Sequence, residues 1–370
     1  MERRIFIEGY DGRNWGDVLM ALATLNMFNG SNTEGILPRN VAGQSSNYFE
    51  ATRLAGRTRI ASSVKKLLSF GWAHGAFVPS LSAAHAQRGD VVFYVNGYIF
   101  GDGWKEDWID QVGRSFAKSK SRGARVILMP QSFGPFKTTA HVARGALGRA
   151  DLVFARDAKS FENVSNLLGN QTKAPKLHES VDYTGYLPVD KFNAGEKYCV
   201  VIPNIKILER KGAAEYSKYL TWLKDACRAA VMRNLRVKVM SHTFGKDASV
   251  ISDLHDEGSS FEIVQTDPLR SRQIIAGAEF VISSRFHGMM NALTQNVPCA
   301  AIGWSHKYDE GMARYGMQEF NVIELDDISS GSVVDGLIGA SSSLRRRLER
   351  VNRDVTKEYD KIKESVRDTI

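Results

Sequence analysis

Short apolar runs, each followed by a stretch of helical periodicity, recur in two separate blocks of this chain. That alternation is the pattern of parallel α/β sheets, whose strands are joined by helical crossovers. In the first block Ile5–Glu8, Asp90–Val95, Ala124–Met129 and Leu152–Ala155 read as strands. Helices are expected over Asp17–Phe28 and Lys105–Lys120, and after Leu152–Ala155 through Leu168. The second block restarts near Lys197, with strands over Tyr198–Ile202, Val237–Met240, Phe261–Val264, Phe280–Ser283 and Val297–Ile302. Ala213–Arg233 reads as a long helix and residues 342–368 as a charged helical tail, while residues 31–88 give no clear pattern. Tyr186–Lys197 contains Pro188, Asn193 and Gly195 and is the expected linker. The expectation is α/β, with two Rossmann-like domains over residues 1–190 and 191–370 facing a cleft. Ligand sites in such sheets lie off the carboxyl ends of the strands.

At 370 residues the chain can bury sizeable cores without disulfide or metal staples. Cys199, Cys227 and Cys299 are far apart, which argues against a zinc site or a disulfide framework and fits a reducing compartment. The first residues carry Glu8 within a short apolar run, a poor signal peptide and a better first strand. No apolar run approaches the ~18 residues that span a bilayer, so a cytoplasmic protein is expected. The net charge is +8, which suits an anionic small molecule, a nucleic acid or an acidic membrane. Zinc-finger spacing and RNA-recognition signatures are missing, so no nucleic-acid partner is expected. Arg345, Arg346, Arg347 and Arg350 share a helix with Glu349, Asp354 and Glu358, and a solvated, ion-paired face is the expectation.

Four motifs fall at predicted strand ends. Gly9–Asp17 holds Asn14, Gly16 and Asp17 between strand one and a helix. It reads either as an anion loop on a helix N-terminus or as a tight turn with Asp17 as the cap. Its spacing matches neither the dinucleotide fingerprint nor the P-loop. Met129–Pro135 presents Gln131 and Ser132, either to a ligand or within a rigid turn. Arg156 and Asp157 follow a strand; Arg156 can grip a carboxylate or phosphate through its planar fork, and Asp157 can cap the next helix.

Ser283–Leu293 is the sharpest motif. A strand ends at the serines and a helix opens near His287, which sets a permanent charge, Arg285, beside a group that titrates near neutral pH. The helix N-terminus adds partial positive charge. Together these suit an anion that must also gain or lose a proton. Gly303–Lys307 then brings His306 and Lys307 to the same sheet edge. His242 also ends a strand, and its functional and structural readings stay open. His74, His85, His141, His178 and His255 have no supporting constellation and read as structural or solvent-facing.

Taken together and in order, these motifs resemble the polysaccharide pyruvyl transferase family. The resemblance rests on Asn14, Gly16 and Asp17; on Pro130–Pro135; on Arg156 and Asp157; most specifically on Ser284–Gly288; and on Trp304, Lys307, Gly316 and Met317. It covers roughly residues 5–320. One departure is Asn96-Gly97-Tyr98, where the family often has a glycine-rich turn.

The resemblance implies a fold like that of two-domain GT-B glycosyltransferases, with an acceptor side in residues 1–190 and a donor side in 191–370. It implies phosphoenolpyruvate as donor and a sugar hydroxyl pair as acceptor, on an envelope or exopolysaccharide glycan or its lipid-linked precursor. Arg285, Arg156, His287, Gly288 and Lys307 would then bind the donor in the cleft, and His287 and Arg285 would carry the chemistry. His287 is expected in a loop, acting in chemistry more than in holding the fold. Asn14, Gly16, Asp17, Gln131 and Ser132 would form the cleft or anion loop. No metal and no cofactor beyond the donor substrate are expected. At most a peripheral contact with the inner membrane face is implied. A nucleotide-sugar glycosyltransferase on the same fold and a non-catalytic glycan-binding protein remain as rivals.

Overall fold

The computed structural model describes residues 3–12, 14–28, 33–36, 86–169, 174–189, 195–243, 245–255 and 261–370. His74, His85 and most of the unpatterned stretch 31–88 lie outside them. Two compact units result, each discontinuous in sequence. One comprises Met1–Gly12, Met20–Tyr186 and Lys357–Ile370; the other comprises Arg13–Leu19 and Leu187–Thr356. The expected boundary at 190 falls in a linker of which residues 190–194 are not described.

The first unit holds a parallel sheet of β1 (Arg3–Glu8), β2 (Thr33–Ile36), β3 (Val91–Tyr94), β4 (Arg125–Gln131), β5 (Leu152–Ala155) and β6 (Lys176–Glu179). Its strand order is β2-β1-β3-β4-β5-β6. Among the described residues the helices between β1 and β6 are α1 (Trp15–Phe28), α2 (Glu106–Ser121), α3 (Ala140–Leu147) and α4 (Ala158–Leu168). The second unit's parallel sheet consists of β7 (Tyr198–Ile202), β8 (Arg236–Val239), β9 (Phe261–Ile263), β10 (Val281–Ser283), β11 (Cys299–Ile302) and β12 (Asn321–Val322). Its order is β12-β11-β10-β7-β8-β9. Between and after these strands run α5 (Lys206–Lys211), α6 (Ala213–Met232), α7 (Ala248–Leu254), α8 (Pro268–Ala276), α9 (Phe286–Leu293), α10 (His306–Arg314), α11 (Ser330–Gly339) and α12 (Ser341–Arg367).

The expected α/β class with two parallel sheets is what forms. Strands such as Val91–Tyr94 and Tyr198–Ile202 are apolar throughout because every one of their residues is buried. In both sheets the strand order reverses once. The reversal lies between β1 and β3 in the first sheet and between β7 and β10 in the second. Such switch points open a crevice at the strands' carboxyl ends, where ligands bind in open α/β sheets.

The arginine run meets the solvated, ion-paired face expected of it only in part. Arg345 donates to the carbonyls of Ala278 (2.8 Å), Glu279 (3.1 Å) and Asn296 (3.3 Å). Arg347 donates to the Gly316 carbonyl and the Glu319 carboxylate. Two of the four arginines therefore fasten α12 to the turns beneath it, while Arg346 and Arg350 are exposed.

Candidate active site

The switch point of the second sheet delivers the loop that opens α9. Ser283 Oγ donates to the Arg285 carbonyl (2.8 Å) and accepts the Arg285 N–H (3.1 Å), closing a tight turn. The Ser284 carbonyl is held twice, by Asn204 Nδ2 and by the Tyr308 hydroxyl, each at 2.8 Å. Tyr219 donates its hydroxyl to Ser284 Oγ (2.8 Å). These buried hydroxyls are pushed up by burial and stay protonated donors. The backbone of this loop is thus set before any ligand arrives.

Arg285 meets Asp247 in a two-pronged pair. Its Nε donates to Oδ2 at 3.0 Å, and Nη2 donates to Oδ1. The Asp247 side chain is fully buried and that of Arg285 is 15% exposed. Asp247 precedes α7 but makes no side-chain cap there, so its carboxylate is available for the arginine. Thr243 Oγ1 also donates to it (3.2 Å). The pair fixes the guanidinium plane and leaves its Nη1 edge outside the pairing. No sequence signal pointed to Asp247: the pairing spans 38 residues, and an aspartate before a helix reads as an ordinary cap.

His287 is buried in the first turn of α9, not in a loop as expected. Its ring stands edge-on to Phe286 with centroids 5.3 Å apart. On another side it lies against Gly16, where a Cβ would fall 1.8 Å from Nδ1. Gly16 therefore serves the close approach of a side chain. Asn14 Oδ1 accepts the Gly16 N–H (3.2 Å), so the cap of α1 is Asn14, with the buried Asp17 inside the first turn; this corrects the alternative in which Asp17 is the cap. Asn14 bridges to Thr243, and the Trp15 N–H donates to the His242 carbonyl (3.3 Å).

The open question over His242 is resolved toward structure. Arg272 Nη1 donates to Asn291 Oδ1 (2.6 Å), which turns Asn291 Nδ2 toward His242 Nε2 at 3.2 Å. Nε2 is then an acceptor and the ring is neutral. Burial, reinforced by the charges of His287 and Arg285, depresses its pKa well below 6.5.

Gly288 has a packing role: a Cβ there would sit 2.5 Å from Ser283 Oγ and 2.9 Å from Ile202 Cδ1. At the next strand end, the Lys307 ammonium lies 4.7 Å from the Trp304 ring centroid and 5.6 Å from that of Phe286. The Arg210 guanidinium lies 5.3 Å from Trp304. Trp304 Nε1, Ser305 Oγ and His306 Nε2 are buried without a hydrogen-bond partner among the described residues.

The remaining candidates belong to the first unit and form a cluster of their own. Arg156, 4% exposed, donates from Nε to Ser132 Oγ (3.0 Å) and from Nη1 to Asp182 Oδ2 (3.4 Å). Ser132 Oγ donates to Asp157 (3.0 Å), and the other Asp157 oxygen caps α4 at the Ser160 N–H (2.7 Å). That capping matches the sequence reading. A buried arginine in such a network shapes a wall, and reaches a ligand less readily than an exposed one. Gln131 is fully buried, with neither polar side-chain atom bonded to a described residue. The divergent turn is built in as well. Asn96 Nδ2 donates to the Gly9 carbonyl (2.8 Å), tying β3 to β1 at the first sheet's switch point, and the Tyr98 hydroxyl donates to the Gly134 carbonyl (3.1 Å).

Among the described residues no group of three or more His, Cys, Asp or Glu side chains could hold a metal ion. The three cysteines are buried and their thiols are pushed up by burial, which disfavours the reactive thiolate.

The family model described as polysaccharide pyruvyl transferase matches residues 14–306. The chain belongs to the polysaccharide pyruvyl transferase family. It is therefore a transferase, and the match spans both Asn14–Asp17 and Ser284–Gly288. No curated protein matches the chain in sequence. Among solved structures, a putative UDP-N-acetylglucosamine 2-epimerase from Listeria monocytogenes is similar, with a TM-score of 0.56 at 9% identity, over 94% of this chain and 91% of that one. A co-structure of S. aureus MnaA with UDP gives 0.55 at 11% identity, over 94% and 91%. The Glycyrrhiza uralensis UGT73P12 structure with glycyrrhetinic acid 3-O-monoglucuronide gives 0.54 at 9% identity, over 100% and 96%. At such identities the likeness concerns the fold: two parallel-sheet units, as in GT-B glycosyltransferases and epimerases. Among the described residues no helix is long and apolar enough to cross a membrane.

Proposed function

We propose that this pyruvyl transferase family member moves the pyruvyl group of phosphoenolpyruvate onto a hydroxyl pair of a sugar in an envelope glycan or its precursor. The observation that carries the reading is Arg285, oriented by Asp247, on the same strand-to-helix turn as a buried His287. The donor has a carboxylate and a phosphate, and the fixed guanidinium offers its open edge to one of them. Lys307 is the second cation. His287 protonates C3 of the donor as an acceptor hydroxyl adds at C2. The C2–O bond to phosphate then breaks, and the second hydroxyl closes the ring at C2. One hydroxyl proton in effect replaces the proton given to C3, and the other leaves with phosphate.

Gln131 and the network of Ser132, Arg156 and Asp182 act as supporting residues in the first unit. The reaction is placed in the cytoplasm, with at most peripheral contact at the inner membrane face. The test is phosphate release from phosphoenolpyruvate with glycan acceptors, with the ketal methyl group followed by proton NMR. Phosphate release that depends on acceptor supports the reading. Stabilisation by a nucleotide sugar, with none by phosphoenolpyruvate, favours the glycosyltransferase reading instead.

A further inference from the structure

We propose that a neutral pyranose ring of the acceptor glycan binds in a cavity of the second unit, beside the carboxyl ends of β8 and β9, and so departs from the expectation of an acceptor side in residues 1–190. The cavity measures about 650 Å³. That lies within the ~300–1,000 Å³ of small-molecule sites. Its wall is built from Trp15, Ser241, Thr243, Ile263, Gln265 and Thr266, among others.

The chemistry of that wall selects its ligand. Among the described residues the wall carries no Lys, Arg, Asp or Glu, and His255 is its one titratable side chain besides hydroxyls. A phosphate or carboxylate would find neither lysine nor arginine there, and only the His255 imidazole, to offset its lost hydration. The Ser241 and Thr243 hydroxyls are already bonded to the Thr243 carbonyl and the Asp247 carboxylate, but a wholly apolar ligand would cover the Gln265 amide without pairing it. A sugar ring meets both parts of the wall. Its C–H face packs on apolar side chains, of which Ile263 is 40% exposed, and its hydroxyls reach groups such as the exposed Gln265 amide.

Two connections join the cavity to the reacting turn. Trp15, in the wall, is followed by Gly16, on which His287 rests. Thr243, also in the wall, donates to the Asp247 carboxylate that holds Arg285. A ring seated there is one residue removed from the contact that positions His287 and one carboxylate removed from Arg285. The name acceptor rests on the pyruvyl-transfer reading; the preference for a neutral sugar rests on the wall alone.

The full-length protein is titrated with neutral p-nitrophenyl pyranosides, with UDP and with phosphoenolpyruvate, by calorimetry and saturation-transfer NMR. At least one pyranoside is expected to bind. Ile263→Trp, which adds bulk to the wall, and Gln265→Leu should each weaken it about tenfold, the size of one lost contact. Phosphoenolpyruvate should raise the melting temperature of both variants as in the wild type, which shows that they fold. Binding by none of the pyranosides, or binding undiminished in both variants, overturns the proposal. So does UDP binding that Ile263→Trp abolishes, because the cavity would then be a nucleotide site. If sugars bind as expected and phosphoenolpyruvate does not, the sugar site stands and the pyruvyl-transfer reading falls.

Discussion

The His287 imidazole occupies the space that a side chain at residue 16 would need: a Cβ on Gly16 would lie 1.8 Å from Nδ1 and 2.3 Å from Cγ. Neither partner can yield easily, since His287 is buried on α9 and Gly16 is in the first turn of α1. Gly16→Ala should therefore displace the ring. Overpacking of this kind costs about 1–3 kcal/mol, and a misplaced catalytic group costs on the order of 10²-fold in rate. Thermal melting and turnover measure the two effects. A variant with wild-type turnover would show that the ring's position is unimportant.

His287→Gln keeps a planar, polar side chain in much of the same space but cannot act as an acid near neutral pH. Turnover should fall on the order of 10²-fold or more, with the melting temperature nearly unchanged. His287→Ala, by contrast, should also lose stability, because the ring packs against Phe286 and Gly16. If the glutamine variant keeps its rate across the pH profile, the acid lies elsewhere.

Arg285→Lys retains the charge but cannot pair with Asp247 through two prongs while presenting a third edge outward. Affinity for phosphoenolpyruvate should fall about tenfold or more by calorimetry. Asp247→Ala leaves the arginine with its main partner gone and should destabilise by about 3–5 kcal/mol. Equal donor affinity in wild type and the lysine variant would remove Arg285 from the site.

His242 makes stability depend on pH. Its folded pKa lies below 6.5, chiefly through burial, so the unfolded chain binds the proton more readily. The contribution is complete above about pH 6.5 and is lost progressively as pH falls toward the folded value. Urea midpoints should drop between pH 7.5 and pH 5.5, and His242→Gln should flatten that slope. An unchanged slope in the variant would assign the acid sensitivity to other groups.

Much of this architecture was visible in the residue pattern, for a physical reason. Tyr198–Ile202 and Val91–Tyr94 are buried on both faces, so their composition announces strands. Lys176–Glu179 did not, because an edge strand with Lys176 and Glu179 exposed carries no continuous apolar run. Asn321–Val322 is only two residues long and is defined by its pairing with β11. The turn that bears Arg285 and His287 was legible because the two lie two residues apart in sequence. Asp247 and Arg272 were not, since their partners arrive from distant segments. The use of Gly16 could be known only once His287 was in place against it.

The order of strands in the second sheet also bears on how the molecule comes into being. β7 sits at the centre, flanked by β8 and by β10. As the polypeptide leaves the ribosome, β8 is available to β7 well before β10 is. The contact of Asn204 with Ser284 must close across 80 residues. Until then the apolar edge of β7 is uncovered and open to pairing with a neighbouring chain. The turn that bears Arg285 and His287 is thus among the later parts to be assembled. Substitutions that weaken β10 should first appear as poor yield of soluble protein during synthesis, ahead of any defect in the enzyme that does mature.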